Sequence, residues 1–166
     1  MESSPRIRSG EISSHLFIIL VTLAQLIFFA FFYEYIAWLT TEPDGSVTRL
    51  SMLTDDYFLW LPIMITASIL VIMASIAMII YDNYRFRKTA EISFNILGIV
   101  VAVSLVSIFP FDFSVIPKDT AADVVPICVT VFFILLAVFY AVTALVMFIK
   151  LKRYTAKQET RQKPRI

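Results

Sequence analysis

Long apolar runs, separated by short polar stretches, dominate the hydrophobic pattern of this chain. They lie at about residues 14–39, 57–81, 92–109 and 124–151. A helix needs roughly 20 apolar residues to cross the hydrocarbon core of a bilayer, and none of the runs alternates apolar and polar residues as the strands of membrane barrels do. Because unpaired backbone groups are too costly in lipid, the pattern predicts an all-α integral membrane protein with four transmembrane helices.

The polar stretches between the runs predict how these helices are connected. Residues 43–46 form a turn cluster of Pro, Asp, Gly and Ser, and Pro110 closes the third run. The link from Asp82 to Glu91 is short, which makes the second and third helices antiparallel neighbours. The first run exceeds the roughly 7–15 residues of a signal-peptide core, so we expect it to be retained. The prediction is a single membrane domain, residues 1–166, folded as an up-down four-helix bundle.

The basic residues predict the orientation of the bundle. Lysine and arginine are retained on the cytoplasmic side of a membrane, and they are counted in termini and short loops. One side carries Arg6, Arg8, Arg85, Arg87, Lys88, Lys150, Lys152, Arg153, Lys157, Arg161, Lys163 and Arg165, and the other carries Arg49 and Lys118. We therefore predict that both termini are cytoplasmic, that residues 152–166 form a basic cytoplasmic tail, and that the host membrane is the cell membrane.

The composition agrees with a membrane location. Hydrophobic residues make up 59% of the chain and charged residues 16%, and the mean hydropathy is +0.82. Soluble domains average roughly 45–50% apolar and about 25% charged residues. The net charge of +1 gives no electrostatic footprint for nucleic acid. The expected partners are therefore membrane lipids and other membrane proteins.

Three polar residues within the runs form a candidate intramembrane polar site: Glu34, Gln25 and Asn95. Glu34 is the only acidic residue within a predicted span, and an intramembrane carboxylate suggests proton relay or ion coordination. The alternative is that Glu34, about 8 Å from the outer end of its helix and flanked by Tyr33 and Tyr35, reaches water at an aromatic belt. Gln25 precedes Glu34 by nine residues and so faces nearly the opposite side of the helix.

The sequence offers little for metal or cofactor binding. His15 is the only histidine and Cys128 the only cysteine, and they fall at opposite ends of the predicted bundle. A structural zinc site needs about four ligands, most of them nitrogen or sulfur. No phosphate-binding loop, nucleophile elbow or HExxH motif occurs. We expect no metal, no cofactor and no catalytic residues in this chain.

Small and basic residues mark two kinds of contact surface. Small residues let helix backbones approach each other in lipid, either within one chain or between subunits. The predicted helix-packing positions are Gly98, Ala102, Ala137, Ala141 and Ala144. Basic residues next to a membrane attract anionic headgroups, or they serve only to fix the topology. The predicted headgroup contacts are Lys150, Lys152, Arg153 and Lys157.

These features predict that the protein acts by contacting neighbouring proteins and not by catalysing a reaction. We expect a non-catalytic accessory or structural subunit of a larger integral membrane complex, which supports its neighbours by helix packing. The alternative is a small homo-oligomeric channel or transporter that uses Glu34 and the other polar residues of the spans. A third hypothesis is a membrane enzyme acting on a lipid or quinone, which would need convergent acid–base groups at one interface.

Overall fold

The computed structural model describes residues 5–42, 44–81, 83–116 and 124–162, and only the backbone of residues 5–11 and 157–162. Its elements are α1 (Pro5–Phe31), a 3₁₀ turn (Tyr33–Tyr35), β1 (Ala37–Thr41), β2 (Val47–Ser51), α2 (Tyr57–Ile80), α3 (Tyr84–Ile108) and α4 (Val124–Gln162). Four stretches of helix are long and apolar enough to cross a bilayer: Ile12–Phe31, Tyr57–Ile80, Tyr84–Ile108 and Val124–Ala156. The protein is therefore mostly helical and has the character of a multi-pass membrane protein.

The two middle helices, α2 and α3, form the centre of the packing, and α2 has the most buried residues. Helix α2 lies against both α1 and α3, and α3 lies against α4. Most of the buried residues on the described helices belong to α2 and α3, whereas no described residue of α4 is buried. The apolar side chains of α1 and α4 consequently form most of the surface that faces lipid or a neighbouring protein.

A β-hairpin follows α1, and it corrects two predictions. The helix ends at Phe31 rather than Leu39, and β1 pairs antiparallel with β2, Ala37 opposite Ser51 and Thr41 opposite Val47. The fold is therefore not purely α-helical. Residues 31–41 are rich in aromatic and β-branched side chains, which favour strands over helices. Gly45 accommodates the turn with a φ of 83°, a value that side chains other than glycine disfavour.

The third and fourth helices extend beyond their predicted apolar runs. The third begins at Tyr84 rather than Ile92, because the Asn83 side chain accepts a hydrogen bond of 3.0 Å from the backbone N–H of Arg85 and so caps the helix. The fourth continues from the predicted end at Leu151 to Gln162. Much of the predicted basic tail is thus helical, and its residues 163–166 lie outside the described part of the chain. Hydropathy locates the lipid-compatible part of a helix, not the polar turns that continue it.

The loops before α2 and after α3 pair with each other next to the hairpin. Leu53 forms an antiparallel bridge with Phe111. On either side, the Thr54 N–H donates to the Pro110 carbonyl at 3.1 Å and the Asp112 N–H donates to the Met52 carbonyl at 2.8 Å. We call this end of the bundle the hairpin end.

A cluster of aromatic side chains joins α1 and α2 beneath the hairpin. The Tyr57 hydroxyl donates to the carbonyl of Phe29, one of the last four carbonyls of α1, which have no partner within their own helix. The Phe29 ring meets the Trp60 ring edge-on at 5.5 Å, and Tyr33 stacks on Tyr57 at 5.5 Å. These contacts fix the position at which the chain leaves α1.

Candidate functional site

A cavity of about 580 Å³ lies inside the bundle, and all four helices contribute to its wall. At the hairpin end it is bounded by Leu53, Pro110 and Phe111. Along α3 its wall runs from Phe94 to Leu105, a length of about 16 Å at 1.5 Å of rise per residue. This elongated, partly open space is the candidate functional site.

Polar side chains line the cavity at the middle depth of the bundle. Thr22 and Gln25 belong to the middle half of the α1 span, Ser68 to the middle of α2 and Asn95 to the middle of α3. Two of the three predicted polar residues, Gln25 and Asn95, are thus brought to one cavity. We call Thr22, Gln25, Ser68 and Asn95 the polar belt.

The hydrogen-bonding capacity of the polar belt is only partly used by the protein. The Asn95 amide nitrogen donates to the carbonyl of Glu91 at 2.8 Å and, weakly, to the sulfur of Met147 at 3.7 Å. No described residue donates to the Asn95 Oδ1, and neither Gln25 nor Thr22 has a side-chain hydrogen bond with the described residues. In hydrocarbon an unpaired polar group is unfavourable, so the belt favours a partner inside the cavity.

The wall between the polar belt and the hairpin end is largely aromatic. Phe29, Tyr57 and Trp60 contribute from α1 and α2, and Phe133 from α4. The Trp60 indole N–H donates to the Val101 carbonyl at 3.4 Å, which holds the ring against α3. Aromatic rings with fixed positions present flat apolar faces to whatever occupies the cavity.

The wall between α3 and α4 depends on a single glycine. A Cβ atom placed on Gly98 would lie 2.9 Å from both Cδ2 and Cε2 of the Tyr140 ring. Gly98 therefore lets Tyr140 fit beside α3, and both residues line the cavity. Here the predicted helix-packing glycine acts within the chain.

The other predicted packing residues have different environments. Ala102 is buried in the interior, Ala137 and Ala144 are half-buried, and Ala141 is exposed. The half-buried alanines follow the side of α4 that packs on α3. The exposed alanine faces the lipid or a neighbour.

Glu34 is not part of the cavity. It lies in the 3₁₀ turn Tyr33–Tyr35, beyond the end of α1, and it is exposed. The prediction that it lies within a transmembrane helix is corrected by the early end of α1. The structure does not bring Glu34 together with Gln25 and Asn95.

The predicted headgroup contacts lie on the helical extension of α4. Lys150, Lys152 and Arg153 are exposed, and the Lys152 ammonium lies 5.4 Å from the centre of the Phe148 ring. The Tyr154 ring lies 4.4 Å from the ring of Tyr84, so this extension approaches the start of α3. The side chain of Lys157 lies outside the described part of the chain.

The side chains that commonly bind metal ions are not clustered in the described ranges. No group of three or more His, Cys, Asp or Glu side chains there could hold a metal ion. His15 is buried, its Nδ1 has no partner among the described residues, and Cys128 is an exposed free thiol.

Four hydroxyl-bearing residues of the lining were not predicted as site residues: Thr22, Tyr57, Ser68 and Tyr140. Their hydroxyl groups stand inside apolar runs, and that is the pattern by which they could have been found. Hydropathy gives such residues little weight because threonine, serine and tyrosine are tolerated in spans.

Comparison with known proteins gives no relative: no family model, no curated protein and no solved structure matches this chain.

Proposed function

We propose that this chain is a non-catalytic accessory subunit of a larger integral membrane complex, which supports its neighbours by helix packing. The observation that carries the proposal is a seam of large apolar side chains on the outward side of α4. Each is exposed, and they recur at alternating spacings of three and four residues: Phe132, Leu135, Phe139, Val142, Val146 and Ile149. We call these residues the α4 seam.

The α4 seam belongs to a broad exposed apolar face, which also includes Val131, Ile134 and Val138, and its spacing suits a second helix packed along it. Apolar side chains that alternate spacings of three and four residues stay on one side of a helix. When two such helices pack as a left-handed pair, each of these side chains fits between four residues of the other helix. The cavity-lining residues of α4 lie about 120° around the helix from the middle of the seam, at about 100° per residue: Phe133, Leu136 and Tyr140. The occupant we propose for the seam is a transmembrane helix of another subunit.

The same proposal includes an up-down bundle in the cell membrane, with both termini in the cytoplasm. Contacts between α3 and α4 support antiparallel helices, because Tyr84 meets Tyr154, Asn95 meets Met147 and Gly98 meets Tyr140. The orientation rests on the distribution of basic residues.

In a Cys128→Ala background, a cysteine at position 49 should react with an impermeant thiol reagent in intact cells. A cysteine at position 150 should react only after permeabilisation, and the reverse pattern would contradict this orientation.

Cross-linking in native membranes tests the subunit role. A photoreactive phenylalanine analogue at position 139, on the α4 seam, should join the chain to a protein of different sequence, identified by mass spectrometry after extraction in mild detergent. The same analogue at position 133 is the control, because Phe133 packs against the aromatic core. Isolation of a lone monomer with lipid adducts only would contradict the proposal, and adducts to a second copy would favour the homo-oligomer.

The homo-oligomeric channel or transporter stays the alternative. Gln25 and Asn95 favour it because both line the cavity, whereas Glu34 stands outside that cavity. A liposome flux assay should give no ion conductance if the subunit role is correct. The lipid- or quinone-directed enzyme stays a third hypothesis, and the cavity has no acidic or basic side chain in its wall to support catalysis there.

A further inference from the structure

We infer that the cavity inside the bundle is a binding site for an uncharged, lipid-soluble molecule with an elongated apolar body and a carbonyl or hydroxyl group. This goes beyond the subunit role, because it concerns the interior of the bundle rather than the α4 seam. The polar group of the ligand would lie at the polar belt, and its apolar body would lie along the aromatic wall towards the hairpin end.

The size of the cavity fits a ligand rather than a packing defect. Small-molecule sites in proteins measure roughly 300–1,000 Å³, and this cavity of about 580 Å³ lies within that range. Packing defects in a well-packed interior are mostly no larger than a water molecule. With a length of about 16 Å along α3, the cavity suits an elongated molecule.

The lining determines the charge of the ligand. Every described side chain in the wall is uncharged, and polar groups occur only as hydroxyls, amides and the Trp60 indole. A charged ligand would have no counter-charge at this depth, where an isolated charge is strongly disfavoured. The cavity therefore selects for uncharged molecules.

The polar belt determines the chemical group of the ligand. The Gln25 amide and the Thr22 hydroxyl can donate to a carbonyl oxygen, and the Asn95 Oδ1 can accept from a hydroxyl. All of them lack a protein partner for these bonds within the described residues. Gln25 is exposed on the bundle, and Thr22 and Asn95 are half-buried. Because such groups strongly prefer to be paired in low-dielectric surroundings, a ligand with one carbonyl or hydroxyl is favoured over a pure hydrocarbon.

The order of helix packing suggests how a ligand reaches the site from lipid. The extensive contacts join α1 to α2, α2 to α3 and α3 to α4, and the pair α1 and α4 is not among them. Both helices nevertheless line the cavity. The side between α1 and α4 is therefore the lateral opening to the bilayer.

The position of the tryptophans gives a direct assay. The chain has two tryptophans, of which Trp60 lines the cavity and Trp38 belongs to β1. The purified Trp38→Phe chain in phospholipid nanodiscs therefore reports on the cavity alone. Decylubiquinone, which has carbonyl groups, would be followed by quenching of Trp60, and retinol, which has a hydroxyl group, by energy transfer from Trp60.

We expect saturable binding of at least one of these two probes. Gln25→Leu should weaken that binding about fivefold, the value expected for one lost hydrogen bond. Gln25 has no hydrogen bond with the described residues, so this change should leave folding intact.

Thr143→Val is the matched control, because Thr143 bonds to the carbonyl of Phe139 and does not line the cavity. Signals from both probes that rise without saturation, equally in all variants, would overturn the inference. A probe that saturates identically with and without Gln25→Leu in the Trp38→Phe chain would overturn the role of the polar belt.

Discussion

At the scale of single residues, Gly98 lies where any side chain would disturb the packing of α4 against α3. A Cβ at this position would need the Tyr140 ring to move, since two ring atoms would lie only 2.9 Å away. Alanine favours a helix over glycine by about 1 kcal/mol, but overpacking costs about 1–3 kcal/mol. The steric cost therefore exceeds the gain in helix propensity.

We expect Gly98→Ala to lower the free energy of unfolding in detergent by about 1 kcal/mol. In a Tyr140→Leu background Gly98→Ala should cost much less, because the smaller side chain leaves room for the new methyl group. Equal losses with and without Tyr140→Leu would contradict the close contact as the cause.

Tyr57 is the second residue with a specific role, because its hydroxyl is the partner of the Phe29 carbonyl at the end of α1. Tyr57→Phe should destabilise the bundle by about 1–3 kcal/mol, the cost of leaving a buried acceptor unpaired. Tyr33→Phe is the matched control, since Tyr33 stacks on Tyr57 and has no hydroxyl hydrogen bond with the described residues. Chemical unfolding followed by tryptophan fluorescence would measure both, and equal effects would argue against the hydrogen bond.

At the scale of secondary-structure elements, the apolar pattern predicts the helices well and their ends less well. The second helix begins at Tyr57 and the fourth at Val124, as predicted. The first apolar run, at about residues 14–39, includes both the apolar part of α1 and the start of β1, because the helix and the strand are both hydrophobic. Only the aromatic and β-branched composition of residues 31–41 indicates the change, and hydropathy does not register it.

The candidate site was predictable in part. Gln25 and Asn95 stand out as amides in apolar runs, so their presence could be predicted, but their common cavity could not. It depends on the rotation of each helix about its axis, and on the Gly98–Tyr140 contact. Glu34 was predicted as a site residue only because the first helix was expected to include it.

The hairpin turn should respond to acid through Asp44. The Ser46 hydroxyl donates to the Asp44 carboxylate at 2.6 Å and the Ser46 N–H at 2.9 Å, which lowers the pKa of Asp44 below its ordinary value of 3.8. A carboxylate with a lowered pKa stabilises the turn above the unfolded pKa, and this contribution is lost as the pH falls through the folded pKa. We expect amide exchange in the hairpin, corrected for its intrinsic pH dependence, to accelerate on acidification below about pH 4.

Asp44→Asn should abolish this acid response in the hairpin. The bond from the Ser114 N–H to Asp112, which also lowers the pKa of that carboxylate, should keep its own response and so provides an internal control. An unchanged acid response in Asp44→Asn would show that another group is responsible.

At the scale of the whole molecule, the pairing of the two loops at the hairpin end links the first half of the chain to the second. Leu53 and Phe111 lie opposite each other in an antiparallel bridge, where Cβ atoms are about 4.5–5.5 Å apart. In a Cys128→Ala background, Leu53→Cys combined with Phe111→Cys should form a disulfide under mild oxidation, seen as a mobility shift on non-reducing gels. Leu39→Cys with Phe111→Cys is the control pair, since Leu39 pairs with Arg49 instead. Cross-linking of the control pair alone would contradict this arrangement.

The length of α4 has a mechanical consequence. From Val124 to Gln162 it contains 39 residues, or about 58 Å of continuous helix, whereas the hydrocarbon core measures about 30 Å. The part beyond its first charged residue, Lys150, reaches about 18 Å to Gln162. A helix longer than its bilayer tilts, and it becomes more upright when the bilayer thickens. A change of tilt by about 20° would move the tip of this extension by about 6 Å. We therefore expect α4 to convert a change in membrane thickness into displacement on the side where it emerges. Distances from a spin label at position 162 to the bilayer surface, measured in two lipids of different chain length, would give the size of that displacement.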